Sequence, residues 1–190
     1  MTERPPPARR EPRRVTPQYL ENAALHYLER FASSAENLRR VLMRKVDRSV
    51  HAHGTDRDEA AGWVDALVER YRASGLLADT AYADLRAGSL HRRGASTRAI
   101  REKLAAKGVA RDAVDAALER LDADTEGSLD RAAAVAFARR RRLGPFRPPD
   151  QRAGHRDRDL AALGRAGFDY ATARRVVDAA DPDAAAGDAE

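Results

Sequence analysis

Residues 96–109 read STRAIREKLAAKGV, and residues 34–45, beginning sixty-two places earlier, read SAENLRRVLMRK. Ser34, Leu38, Arg39, Leu42 and Lys45 therefore recur as Ser96, Ile100, Arg101, Leu104 and Lys107. A serine heads each stretch, and apolar residues follow four apart. That is the pattern of an N-capped helix with one buried stripe. In the second copy Lys107-Gly108 ends the pattern: a cation in the last turn and a glycine just beyond it are stop signals. Each copy is followed by a second stripe with the same spacing, Val64, Leu67, Val68, Tyr71 in one and Val114, Ala117, Leu118, Leu121 in the other. Short helical units with so little apolar surface bury it by stacking on their neighbours. The repeat thus predicts an array of small modules with an extended surface rather than a deep catalytic pocket.

Working outward, Leu20, Ala23, Ala24, Tyr27, Leu28 and Phe31 mark the apolar face of a helix ahead of the first copy. Ser33 reads as the cap of the next helix, with Glu36 completing a capping box. The middle helices repeat at an offset of 62 and the last helices at 50. The first unit therefore holds a connection twelve residues longer, which the loop-like segment His51–Asp58 would supply. A third helix is expected from about Asp58 to Ser74, ending at Gly75. In the second unit Asp79 is a good cap, Tyr82, Leu85 and Leu90 form the stripe, and Gly94 breaks the helix. A weaker third copy spans 128–180: Leu163, Gly167 and Phe168 match Leu104, Gly108 and Val109 at an offset of 59, and Ala173, Val176, Val177 and Ala180 continue it. Its first helix ends in Arg139–Arg142, and Pro145, Pro148 and Pro149 then interrupt helix formation.

Strand-like alternation is absent from the sequence. The expected architecture is all-α, three tandem three-helix repeat units over 15–75, 76–124 and 125–180, elongated or curved, with flexible joints between units. Residues 1–14, with four prolines and five arginines, read as a disordered basic arm, and 181–190 as an acidic disordered tail.

Charged residues make up 34% of the 190 and the net charge is +5, which suits an acidic partner such as nucleic acid or an acidic protein groove. Only three of the thirty-five basic residues are lysines (Lys45, Lys103, Lys107), so arginine forks carry the positive charge. With no cysteine, thiolate metal sites, disulfides and cysteine nucleophiles are excluded. No apolar run approaches a membrane span, and the N-terminus lacks a signal-type apolar core, so a cytoplasmic monomer without membrane attachment is expected. Phosphate-binding loops and H-E-x-x-H are missing. His51 and His53 are the only close histidine pair, too few fixed ligands for a metal site. Neither an enzyme activity nor a cofactor is expected.

The basic clusters are the candidate binding residues. With Leu38 and Leu42 facing inward, Arg40 and Arg44 share an exposed face one turn apart and Arg39 flanks them. In the second unit Arg92 and Arg93 stand at a helix end, with Arg98 and Arg101 on the outer side of the next helix. Arg139, Arg140, Arg141 and Arg142 form the third patch. Similar placement in each copy predicts a discontinuous basic stripe facing phosphates or carboxylates. Tyr27, Phe31, Trp63, Tyr71 and Tyr82 fall on apolar stripes, so aromatics are expected in the core and not among the arginines.

The segment from Gly75-Leu76-Leu77 through Tyr82-Ala83, Arg92-Arg93-Gly94, Ser96, Ile100, Leu104 and Lys107-Gly108-Val109 resembles the central signature of the RecX family of RecA regulators. Tyr19-Leu20, Tyr27–Arg30 and Leu38–Leu42 are similar to that family's first repeat, and Arg165–Phe168 to its last. The resemblance covers about residues 19–178. It departs at Ala78, where the family often has the first of two acidic residues, and at 144–149, where extra chain enters the third repeat. The resemblance implies a non-enzymatic protein that binds RecA–DNA filaments, touching DNA directly or through the filament. It would inhibit ATP hydrolysis, strand exchange and co-protease activity in DNA repair, homologous recombination and the SOS response. The alternative from the residues alone is a helix-turn-helix DNA-binding protein. Its reading helices lack the clustered Asn, Gln and Arg that suit base edges.

Overall fold

Ser34 and Ser96, at the heads of the two copies, cap their helices identically. The backbone N–H of Asn37 donates to the Ser34 hydroxyl at 3.2 Å, and that of Ala99 to the Ser96 hydroxyl at 3.2 Å. The computed structural model describes residues 11–125 and 127–187, and among these the chain is all-α, with ten α-helices and no strand. Residues 1–10 of the expected basic arm and 188–190 of the acidic tail lie outside the described residues. The chain divides into two compact units, one ending at Ala78 and the other beginning at Asp79.

The first unit holds α1 (Pro17–Leu28), α2 (Ala35–His53) and α3 (Arg57–Ala73). Leu20, Leu38, Leu42, Val46 and Val64 are sealed in its core. The cap of α2 is Ser34, one residue later than Ser33, and Glu36 pairs with Arg40 instead of closing a capping box. Nor does the first copy's extra length form a loop over His51–Asp58. It extends α2 to His53, because the stripe Leu38, Leu42, Val46 continues to buried Ser49. That hydroxyl accepts from the Val15 N–H at 3.0 Å and bonds the Thr55 hydroxyl at 2.7 Å. Asp56 then caps α3 by accepting from the N–H groups of Asp58 and Glu59. Phe31 is 54% exposed, since α1 stops at Leu28 and turns it off the stripe; its ring lies 5.2 Å from that of Tyr27.

The second unit holds α4 (Asp79–Arg92), α5 (Thr97–Ala105) and α6 (Arg111–Ala123). They are followed by α7 (Leu129–Arg141), a 3-10 turn (Gly144–Phe146), α8 (Pro149–Arg165), α9 (Tyr170–Val177) and α10 (Pro182–Ala186). The helical periods recur as hydrogen bonds. At the ends of α5 and α8, Val109 N–H donates to Leu104 O and Phe168 N–H to Leu163 O, around Gly108 and Gly167, both of positive φ. At the ends of α4 and α7, Ala95 N–H donates to Leu90 O and Leu143 N–H to Ala138 O, around Gly94 (φ 78°) and Arg142 (φ 55°). Arg142 thus occupies the left-handed position that Gly94 fills in the preceding repeat, at a cost of about 1 kcal/mol. Leu85 is 65% exposed and does not belong to the stripe of Tyr82, Ala83, Ala87 and Leu90.

Within this unit the expected flexible joint between the second and third repeats is absent. A Cβ placed on Gly94 would lie 2.5 Å from the backbone nitrogen of Phe137, so only glycine lets the end of α4 meet α7. Thr97 donates its N–H and hydroxyl to the two oxygens of Asp130 at 2.7 and 3.0 Å, and the Ser96 hydroxyl donates to Ala166 O at 2.9 Å. Leu129, the first residue of α7, is buried in the core of the second repeat.

The proline-rich stretch is fixed as well. Asp159, 1% exposed, accepts from Gly144 N–H at 2.9 Å and from Arg147 at 3.0 Å. Arg152 donates to the carbonyls of Pro145, Arg147 and Ala180. The tail expected to be disordered from Asp181 instead forms α10 through Ala186. Asp181 caps it, Ala185 is fully buried, and buried Arg131 donates to Ala185 O at 3.2 Å. Alanine composition favours the helix, and one buried methyl group anchors it.

Two measurements test this packing. Gly94→Ala combines left-handed strain with a backbone clash and is expected to destabilise the second unit by about 2–5 kcal/mol in denaturant melts. Asp169 caps α9, and the Thr172 N–H at 2.7 Å holds its carboxylate below the usual 3.8. A lowered native pKa gives stability that is complete above the ordinary value and lost as pH falls through the native one. Asp169→Ala should therefore cost about 1 kcal/mol at neutral pH. The difference should close as the melts are taken below pH 3.8.

Candidate functional site

The repeat places cations at helix ends. Arg92-Arg93 and Arg140-Arg141 both directly precede the left-handed residue that closes their helix, so the two doublets are structurally equivalent. Cations there complement the negative end of the helix dipole. All four are exposed, as are Arg139 and Arg142, and none of the six has a carboxylate partner among the described residues. Arg92 folds back over Gly88, where a Cβ would come within 3.2 Å of its guanidinium. Arg139 lies 5.5 Å from the ring of Phe146, and Arg140 and Arg141 lie 6.0 and 5.4 Å from that of Phe137. Because Gly94 abuts the backbone of Phe137, the helix end that carries Arg92-Arg93 packs against α7. The expectation that aromatics avoid the arginines fails here: Phe137 faces the core, edges against Phe168, and still offers its ring to two guanidinium groups.

The other sequence candidates differ in kind. Arg98 pairs with Glu102 at 3.0 Å. Arg101 pairs with Asp115 at 3.0 Å, and Arg111 approaches the same carboxylate at 3.5 Å. The Arg101 hydrogen bond is the main reason that Asp115 is held below the usual carboxylate range. In the first unit Arg39 forks onto Asp65 at 2.6 and 3.3 Å, which raises the guanidinium pKa, and Arg40 pairs with Glu36 at 2.9 Å. Arg44 is exposed one turn further along α2. A guanidinium already forked onto a carboxylate offers less to an incoming anion than one facing water. The structure thus separates Arg39, Arg40, Arg98 and Arg101 from Arg44, Arg92, Arg93 and Arg139–Arg142. His53 contacts the carbonyl of Pro12 at 2.6 Å, and His91 that of Leu129 at 2.9 Å. Among the described residues no three His, Asp or Glu side chains cluster as metal ligands.

A second basic feature escaped the sequence reading. An open groove of about 1000 Å³ lies between the start of α7, α8 and α9, with Arg156, Tyr170, Arg174 and Arg175 on its walls. Asp178 accepts both arms of Arg156 at 2.7 Å, and that guanidinium lowers the Asp178 pKa. Tyr170 stands on the same wall of the groove as Arg156. The available signal was Tyr170, Arg174 and Asp178 recurring every four residues, opposite the apolar face of Ala173, Val176 and Val177.

No helix among the described residues is long and apolar enough to cross a membrane. The family described as "RecX, second three-helix domain" matches residues 79–118, which span α4, α5 and most of α6. The chain is 51% identical over 170 residues to a protein of Myxococcus xanthus named Regulatory protein RecX, covering 89% of each. It is 32% identical over 159 residues to the protein of that name from Agrobacterium fabrum, covering 84% of this chain and 82% of the relative. Together with the helical repeats, these likenesses show that the chain belongs to the RecX family of regulatory proteins.

Proposed function

We propose that the protein binds RecA–DNA filaments as a monomer in the cytoplasm. There it restrains RecA's ATP hydrolysis, strand exchange and co-protease activity, without chemistry of its own. The observation that supports this reading best is the pair of arginine doublets, Arg92-Arg93 and Arg140-Arg141, at equivalent helix ends. Two adjacent modules present unneutralised forks at matching places, as a repetitive anionic partner requires. The glycine-sealed contact between those modules fixes the spacing of the doublets. Inhibition then comes from holding RecA subunits, which needs a rigid cationic face rather than a pocket. Arg44 contributes a further unpaired cation in the first unit.

The test is DNA-dependent ATP hydrolysis by RecA with added protein. The native chain should slow it at near-stoichiometric amounts or below. Arg92, Arg93, Arg140 and Arg141 changed together to Ala should weaken inhibition by about 10-fold or more, since each desolvated charge-assisted contact contributes about 1–3 kcal/mol. The matched variant with Arg39, Arg40, Arg98 and Arg101 changed to Ala should inhibit nearly as well as native. Equal loss in both variants would remove the doublets from the site, and no inhibition by the native chain at low salt would refute the reading.

A further inference from the structure

The groove between α7, α8 and α9 combines features that core packing does not explain. Tyr170 is 65% exposed and stands on the same groove wall as Arg156, which is held by both oxygens of Asp178. Its ring faces the open groove rather than the apolar core that Ala173, Val176 and Val177 enter. Arg174 follows Tyr170 by four residues, one helical turn or about 6 Å along the same face. Arg175 stands beside it. Both are exposed and line the groove; Asp178 lies within electrostatic reach of Arg174 but gives both its oxygens to Arg156. Among the described lining residues Asp178 is the one carboxylate.

We infer that this groove binds single-stranded nucleic acid, with one base stacked on Tyr170 and neighbouring phosphates held by Arg174 and Arg175. An exposed π-face beside guanidinium groups on the same groove is the composition of single-strand grooves, where stacking tolerates any base and cations follow the backbone. An acidic protein segment would use the arginines but has no use for the exposed ring. A duplex keeps its bases stacked inside and cannot reach it. The inference goes beyond filament regulation, because the groove is expected to bind nucleic acid in the absence of RecA.

The experiment is fluorescence anisotropy of a labelled oligothymidylate with the full chain and no RecA, across a salt series. Tyr170→Ala should weaken binding about 5- to 100-fold, the loss of one stacked base. Tyr170→Phe, which keeps the ring, should retain most of the affinity. Arg174→Ala with Arg175→Ala should weaken binding and make the log K against log salt slope shallower by about 1.4, roughly 0.7 per phosphate contact on a single strand. Circular dichroism melts of the variants should match native. The inference is overturned if Tyr170→Ala or the double arginine variant binds with native affinity and slope. It is equally overturned if Tyr170→Phe loses as much as Tyr170→Ala, or if polyglutamate displaces the label as well as unlabelled oligothymidylate. The ATPase test of the arginine doublets reads a different surface and a different partner, so either proposal can fail alone.

Discussion

The contact on which the second unit depends is the approach of Gly94 to the backbone of Phe137, closer than any side chain allows. Two small helical bundles, each with a thin alanine-rich core, gain little from packing alone. Bringing backbones together lets Ser96 and Thr97 reach across to Ala166 and Asp130, and lets Leu129 enter the neighbouring core. Gly167 repeats the device on the other side, where a Cβ would collide with the Ser96 hydroxyl at 2.6 Å. What composition suggests is a loose string of modules; in this half of the chain hydrogen bonds and missing side chains make one body of two.

That rigidity gives the arginines their meaning. A guanidinium on a mobile loop has entropy to lose on every contact. Arg92, Arg140 and Arg141 instead lie against a glycine or an aromatic face, with their backbone fixed by helix ends. They face water without a carboxylate, whereas Arg98 and Arg101, equally prominent in the sequence, are already engaged. Charge counted along a chain does not separate these two populations. The difference lies in which acidic residues the fold brings within reach, and Asp115 reaches Arg101 only once α5 and α6 pack.

The helices themselves were legible, because capping serines, stop glycines and apolar spacing are local signals. Gly75, Gly94, Gly108 and Gly167 all adopt the left-handed conformation that a stop requires. Errors arose where a local signal had two readings. Ser33 and Ser34 are both capping residues and both are buried; Ser34 takes the Asn37 N–H, while the Ser33 hydroxyl donates to Ser34 O and accepts from the Asn37 side chain. His51–Asp58 looks like a loop by composition, yet Ser49 finds buried partners and the helix continues. Leu85 and Phe31 obey the spacing but meet no opposing surface. The groove beside Tyr170 was hidden for another reason: Arg156 and Asp178 are twenty-two residues apart, and their pairing is a product of the fold.

The short C-terminal helix carries a practical consequence. Ala185 plugs the core, and its carbonyl caps a guanidinium that is only 5% exposed. A chain cut before Asp181 would uncover that plug site and take away backbone acceptors of Arg131. Residues 181–186, part of the segment that reads as an acidic disordered tail, are the stopper of the third repeat, and any shortened version of the protein must keep them.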